Sequence, residues 1–289
     1  VSLLLRVNLV FLALAVCLGV GASVGCRAIL QANAQRELLG ESGMLLDGAV
    51  ATRSYTANEI EPLLREQLKA DFLPQSIPFY AATQNFLKLH EKFPQYAYKE
   101  ATLNPTNPRD RAADWEADII QRFRGDPGVH EISGVRDTPM GPSFYLARPI
   151  RVEPECLVCH SRPANAPATL LARYGSDNGF GWQPREIVGA QVVSVPYARA
   201  EANVDRSFGS FMLIIGASLL TFWLATNVLL DRLVARPLRR IAALADTLSV
   251  GEESGDEFPM RGVREIQALG AAFNRLRKSL AKAMQMLGS

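Results

Sequence analysis

The chain of 289 residues contains four cysteines and three histidines, and two of the cysteines fall beside one histidine in Cys156-Leu-Val-Cys159-His160. This is the attachment pattern of a c-type haem. Two thiols three residues apart add to the two vinyl groups of one haem, and the adjacent imidazole reaches the iron as the proximal axial ligand. The pattern therefore predicts one covalently bound haem c, with Cys156 and Cys159 as attachments and His160 as proximal ligand. A redox disulfide and half of a zinc site are the competing readings. A zinc site wants four ligands, and the remaining cysteines, Cys17 and Cys26, lie within or at the edge of an apolar stretch.

The second axial position is less determined. Met44 is the first candidate for a distal iron ligand, because it is central in an apolar stretch upstream of the motif. An open or water-filled position comes next, then His130 and Met140; Tyr55 is a possible oxygen ligand and His90 a further histidine. The haem propionates need cationic partners, and Arg148, Arg151 and Arg162 lie near the motif, Arg148 being the first choice. Ordinary surface arginines are the alternative.

These residues must be held by a chain of uneven composition. The formal net charge is +2 and 48% of residues are hydrophobic, which excludes a disordered chain and does not favour nucleic-acid binding. Residues 7–26 and 207–230 carry no Asp, Glu, Lys or Arg. Each is long enough to cross a bilayer core about 30 Å thick as a helix. A cleaved signal peptide is the alternative for the first stretch; its length favours a retained span. Arg232, Arg236, Arg239 and Arg240 crowd the far side of the second span, which places the tail in the cytoplasm by the positive-inside rule. The expected division is a first span at 1–27, an outer segment at 28–206, a second span at 207–230 and a cytoplasmic segment at 231–289. Both termini are then cytoplasmic in a two-pass inner-membrane protein, and the haem segment is periplasmic.

Fifteen of the 17 prolines lie between Pro62 and Pro196. Residues 28–61 are therefore free to continue the first span as an amphipathic helical arm, and the following stretch is rich in loops. Short helices are expected at 79–92 and 110–124, and strands at 96–103, 143–152 and 187–197. Strands with flanking helices and no βαβ repeat predict an α+β domain on an antiparallel sheet. Residues 197–206 return to helix and lead into the second span.

In the tail, Leu238, Ile241, Ala245 and Leu248 are spaced as heptad a/d positions. So are Ile266, Leu269, Phe273, Leu276, Leu280, Ala283 and Leu287. A polar connector containing Pro259 separates the two runs. Two such helices need partners, which a symmetric dimer supplies as a four-helix bundle. Residues 232–286 resemble a HAMP linker in Pro237, in Glu265 and in Phe273-Asn274, although Arg264 stands where the family commonly has Asp. The outer stretches IPFYAATQNF, YKEATLNPTNPRDRAADWEADII, FYLARPIRVEPECLVCH and NGFGWQPREIVGAQVVSVP resemble the single-haem, PAS-like c-type domain of bacterial sensors. That resemblance implies a PAS-like sheet, haem attachment at Cys156 and Cys159, and axial ligation by His160.

The expected function is a non-enzymatic membrane sensor, a homodimer through HAMP. It detects redox state or a small gaseous or redox ligand outside the cytoplasm and relays it to a separate cytoplasmic kinase or other output protein. A membrane-anchored electron-transfer cytochrome is the alternative, although it gives the tail no task. A haem peroxidase would require an open sixth position with a distal acid–base group.

Overall fold

The computed structural model describes residues 3–249 and 263–287. It divides into two compact units, Ala28–Arg206 and a second formed by Val1–Arg27 with Ser207–Ser289.

Helix α1 runs without interruption over Leu3–Tyr55. Its several glycines cost helix propensity but do not break it, and the first proline comes only at Pro62. A π-helical turn at Thr56–Ile60 follows, then α2 at Glu61–Ala70. Pro62 follows this π-helical turn inside a continuous run of helical dihedrals, and the wider turn before it accommodates its ring and its missing N–H. Helix therefore persists further than the onset of the prolines predicts. Pro78 opens α3, Pro78–Lys92.

Four strands follow with interleaved helices: β1 at Ala97–Thr102, β2 at Ile132–Thr138, β3 at Gly141–Arg151 and β4 at Ile187–Pro196. They form one antiparallel sheet in the order β1-β4-β3-β2, so the fold is the mixed α+β architecture expected. Helix α4, Asp114–Gly125, lays Ile119, Ile120 and Phe123 on one face of the sheet against Ile132, Ala147, Ala190 and Val192. Lys99 on β1 pairs with Glu116 of α4 at 2.6 Å. The outer part of α1 covers the other face, where Leu38 and Leu46 pack with Phe144, Leu146, Val193 and Val195. Strand β2 was not foreseen in the sequence. It is an edge strand of alternating burial, and Gly134 makes room beneath the Tyr145 ring, which a Cβ there would meet at 2.8 Å.

The second unit contains two helices long and apolar enough to cross a membrane, α1 and α7, the latter at Tyr197–Leu230. These flank the sheet domain in sequence, as in a two-pass membrane protein. One polar cluster joins them. The Asn8 side-chain oxygen accepts from the Trp223 indole at 2.6 Å and from Asn227 Nδ2 at 3.0 Å, while Asn8 Nδ2 donates to Asn227 Oδ1 at 3.0 Å. Phe11 stacks on Phe222 nearby, with ring centroids 6.0 Å apart.

After α7, a π-helical turn spans Asp231–Ala235, and α8 follows at Arg236–Ser249. Pro237 offers no N–H and its ring clashes with the carbonyl four residues earlier, so the backbone widens there. Asp231 caps the junction by pairing with Arg236 at 2.6 Å and Arg239 at 2.7 Å. Helix α9 covers Arg264–Leu287. Ile241 and Ile266 are buried between α8 and α9, with Leu238, Leu244, Ala245 and Phe273 packed around them. Leu269 and Leu276 remain exposed in the single chain. The connector at 250–262 lies outside the described residues, as do the side chains of Leu248, Leu280, Ala283 and Leu287.

Candidate functional site

The motif lies on the connection between β3 and β4. Two backbone hydrogen bonds close the base of this connection: Val152 N–H donates to the Glu186 carbonyl at 2.9 Å, and Arg185 N–H to the Val152 carbonyl at 3.0 Å. Pro154 starts a 3-10 turn at Pro154–Cys156, which leads into the single helical turn α5, Leu157–His160. A second short helix, α6, covers Ala168–Tyr174. The chain then folds back on α5, with Gly181 N–H donating to the Ser161 carbonyl at 3.1 Å and Trp182 N–H to the His160 carbonyl at 3.3 Å. Cys156 and Leu157 pack with Phe79 of α3 and Trp182 against Ile150, Val152 and Val188 at one end of the sheet.

This backbone orients the His160 ring. Its Nδ1 lies 2.6 Å from the Gly179 carbonyl and 3.5 Å from Thr106 Oγ1. Its face stacks on Trp182, with centroids 4.1 Å apart and planes within 11°. A carbonyl only accepts, so Nδ1 carries the proton and Nε2 keeps its lone pair. Burial pushes the imidazole below its ordinary range, against the Gly179 hydrogen bond, which raises it. The ring is therefore neutral at neutral pH.

Gly179 is required at its position. Its φ is +82°, and a Cβ there would lie 2.0 Å from Thr106 Oγ1 and 2.8 Å from the Thr106 backbone nitrogen. The close approach lets its carbonyl reach the histidine.

Neither Cys156 nor Cys159 is in a disulfide. Burial raises the Cys159 thiol above its usual range, and the nearby Glu61 and Cys156 raise it further. Among the described residues no group of three or more His, Cys, Asp or Glu is arranged to hold a metal ion, so the cysteine pair has no zinc-site complement there. Two reduced thiols and a neutral imidazole with a free Nε2 are the donor set that a c-type haem requires. The residues present fit that group.

The other predicted residues lie elsewhere. Leu38, Ser42, Leu46 and Ala49 set the buried face of α1, which turns Met44 outward, where it is 70% exposed. The helix phase thus does not bring Met44 to His160. Arg148 is already committed: its guanidinium pairs with Asp47 of α1 and with Glu131, so its charge is not free for a propionate. Arg151 donates to the Pro127 carbonyl, and Arg162 and His130 are exposed. Met140 sits exposed in the β2–β3 turn, and His90 Nδ1 is 2.7 Å from the Tyr96 carbonyl. Tyr55 is 59% exposed. Gly179, Trp182 and Thr106 were not singled out in the sequence, although the first two lie within the NGFGW stretch already noted.

Residues 232–282 match the HAMP domain. The crystal structure of the cyanobacterial heme-protein Tll0287 aligns with 55% of this chain and 95% of its own, at 17% identity and a TM-score of 0.45. No curated protein gave a match. The Tll0287-like family matches residues 31–196, more than half of the sequence. The chain therefore belongs to the Tll0287-like family and continues into a HAMP domain.

Proposed function

We propose that this protein is a membrane-bound haem c sensor. Its sheet domain faces the outside of the cytoplasmic membrane, in the periplasm of a two-membrane cell, with both termini in the cytoplasm. The observation that carries the reading is the His160 ring, fixed by Gly179 and Trp182 with Nε2 left free, directly beside two reduced thiols. Cys156 and Cys159 would hold the porphyrin and His160 Nε2 the iron. When bound, the group supplies an iron centre that changes oxidation state or takes up a small ligand. The protein supplies the rest: Trp182 and Phe79 shield the motif from water, the Gly179 carbonyl raises the basicity of the imidazole, and the β3–β4 connection ties the motif to the sheet. The name of the cyanobacterial relative supports haem as the cofactor.

Signalling requires that the stimulus favour one of two arrangements of the chain over the other. The helices that leave the sheet domain at both ends, α1 and α7, continue as the membrane-spanning helices, and α7 leads into HAMP. We assign output to a cytoplasmic partner of a HAMP-linked homodimer. Met44 and Arg148 have no part in this reading, because one faces solvent and the other is paired.

The test is the visible spectrum of the detergent-solubilised protein, oxidised and reduced, with and without carbon monoxide. Covalent haem c with a spectrum altered by His160→Ala is expected. A purified protein without haem, or one whose spectrum ignores that substitution, overturns the proposal.

A further inference from the structure

The face of the sheet under α1, lined by Phe144, Leu146, Val193 and Val195, also carries one row of charged and amide side chains. Strand register aligns Glu100 of β1 with Gln191 of β4, and Gln191 with Arg148 of β3. Side chains two residues apart on a strand share a face, so this row lies on the same side as Tyr98, Val193 and Leu146. Arg148 finds two carboxylates. Glu100 finds no cation within ion-pair distance among the described residues, yet it is only 6% exposed. Its Oε1 accepts from the Tyr98 hydroxyl at 2.5 Å, and that hydroxyl accepts from Gln191 Nε2 at 3.2 Å. Phe86 of α3 seals the tyrosine by stacking on it at 4.4 Å.

The cation that acts on Glu100 is held away from it. Arg53, in the last turn of α1, lies with its guanidinium 3.6 Å from the centre of the Phe79 ring. Its Nε is buried and has no hydrogen-bond partner. Phe79 in turn packs on the apolar cluster of Ile150, Val152 and Val188 that also holds Cys156 and Leu157. One arginine thus acts on a buried carboxyl while it rests on an aromatic ring of the cluster that also holds Cys156.

We propose that Glu100 is a proton-binding site whose occupancy decides whether Arg53 rests on Phe79 or pairs with Glu100. With the carboxyl protonated, Arg53 stays on the ring, as in this structure. Loss of the proton leaves a buried carboxylate that needs a partner, and Arg53, whose charge already acts on Glu100, has an unpartnered Nε to supply one. Arg53 then leaves Phe79 and draws the end of α1 toward β1. The groups that face Glu100 are Tyr98 on its own strand, Gln191 on β4, Arg53 on α1 and Asp110 before α4. Burial is the largest influence and raises the carboxyl to about 8; Tyr98, Arg53 and Gln191 lower it and Asp110 raises it. The site thus exchanges its proton near neutral pH. Because Phe79 and the motif pack on one apolar cluster, a shift of Phe79 that follows proton loss at Glu100 is felt at the motif, and a change of charge at the motif acts back on Glu100 reciprocally. This coupling rests on the haem function proposed above; the proton site itself does not.

The experiment measures the infrared carbonyl stretch of protonated carboxyl groups in the full-length, detergent-solubilised protein, from about pH 6 to about pH 10. A band present at neutral pH, lost on the alkaline side and missing in Glu100→Gln supports the site. Wild-type and Glu100→Gln spectra that coincide overturn it. Should Glu100→Gln fail to fold, Arg53→Gln decides: the wild-type band should then persist to higher pH, and an unmoved midpoint overturns the role of Arg53. In the haem-loaded protein, the midpoint potential should fall as pH rises and be flat in Glu100→Gln; an equal slope in both overturns the coupling. A protein that carries no haem defeats the function proposed above, while the infrared result still decides the proton site.

Discussion

The β3–β4 connection and the paired membrane helices fix their polar residues by opposite means. In the connection, His160 is held by irregular backbone: a glycine of positive φ, a returning strand of main-chain hydrogen bonds and a stacked indole. In the helices, Asn8, Trp223 and Asn227 meet because two regular helices run side by side. The first arrangement fixes one ring in one orientation and tolerates little change. The second depends on few contacts in an apolar setting, where interhelical hydrogen bonds contribute only about 0.6 kcal/mol on average. The candidate site is thus built where the backbone is least regular, and the helix pair where it is most regular.

Substitutions in the two regions should differ in effect, beginning with the largest. Replacing Cys156 and Cys159 together by Ala should abolish haem retained on a denaturing gel; retention of the stain would show that the connection is not the attachment site. Gly179→Ala should destabilise the sheet domain by about 2 kcal/mol or more, since it combines a positive φ with a clash against backbone. Gly181→Ala should cost less, because Gly181 has φ +80° but open space around its Cβ position. Denaturant melts of the two variants compare them directly, and equal losses would remove the Thr106 contact from the account.

A pH series probes the sheet domain against the helices. The folded-state Glu100 carboxyl is raised from 4.5 to about 8, so between these values the folded state binds more protons than the unfolded state. Stability from this group is full below about 4.5 and falls as pH rises through about 8. Glu100→Gln should flatten that decline in thermal melts. Asn8→Leu should weaken the association of the membrane helices by about 0.6 to 2 kcal/mol, read from crosslinking of cysteines placed in α1 and α7, and should leave the haem spectrum unchanged. Met44→Leu should alter neither stability nor spectrum measurably, because the side chain faces solvent; a shifted spectrum would show that α1 turns over in the loaded protein.

The cysteine–histidine motif was legible in the sequence because its chemistry is local: five consecutive residues specify it. The partners of His160 were not, because Gly179 and Thr106 reach it across 19 and 54 residues. Met44 faces outward for a reason of phase. Apolar spacing identifies a helix, but only packing decides which of its faces is buried, and α1 buries Leu38, Leu46 and Ala49 instead. The strands at β1, β3 and β4 were recoverable from their apolar runs. Strand β2 was not, since half of Ile132–Thr138 faces water and a glycine interrupts it. Heptad spacing located the tail helices, yet Leu244, which packs beside Ile241, lies off the a/d positions.

The π-helical turn at Asp231–Ala235 has one further consequence. An α-helix advances about 100° per residue, and a turn closed one residue later than usual displaces everything beyond it by about that angle. The stripe of α8 that carries Leu238 and Ile241 is therefore offset by about that angle from the stripe of α7 that a regular α-helix would continue. Pro237 makes the offset permanent by removing the donor that a regular turn would use. Inserting one residue at this joint would turn α8, and the Ile241–Ile266 seam with it, by about 100° relative to α7 without altering either helix.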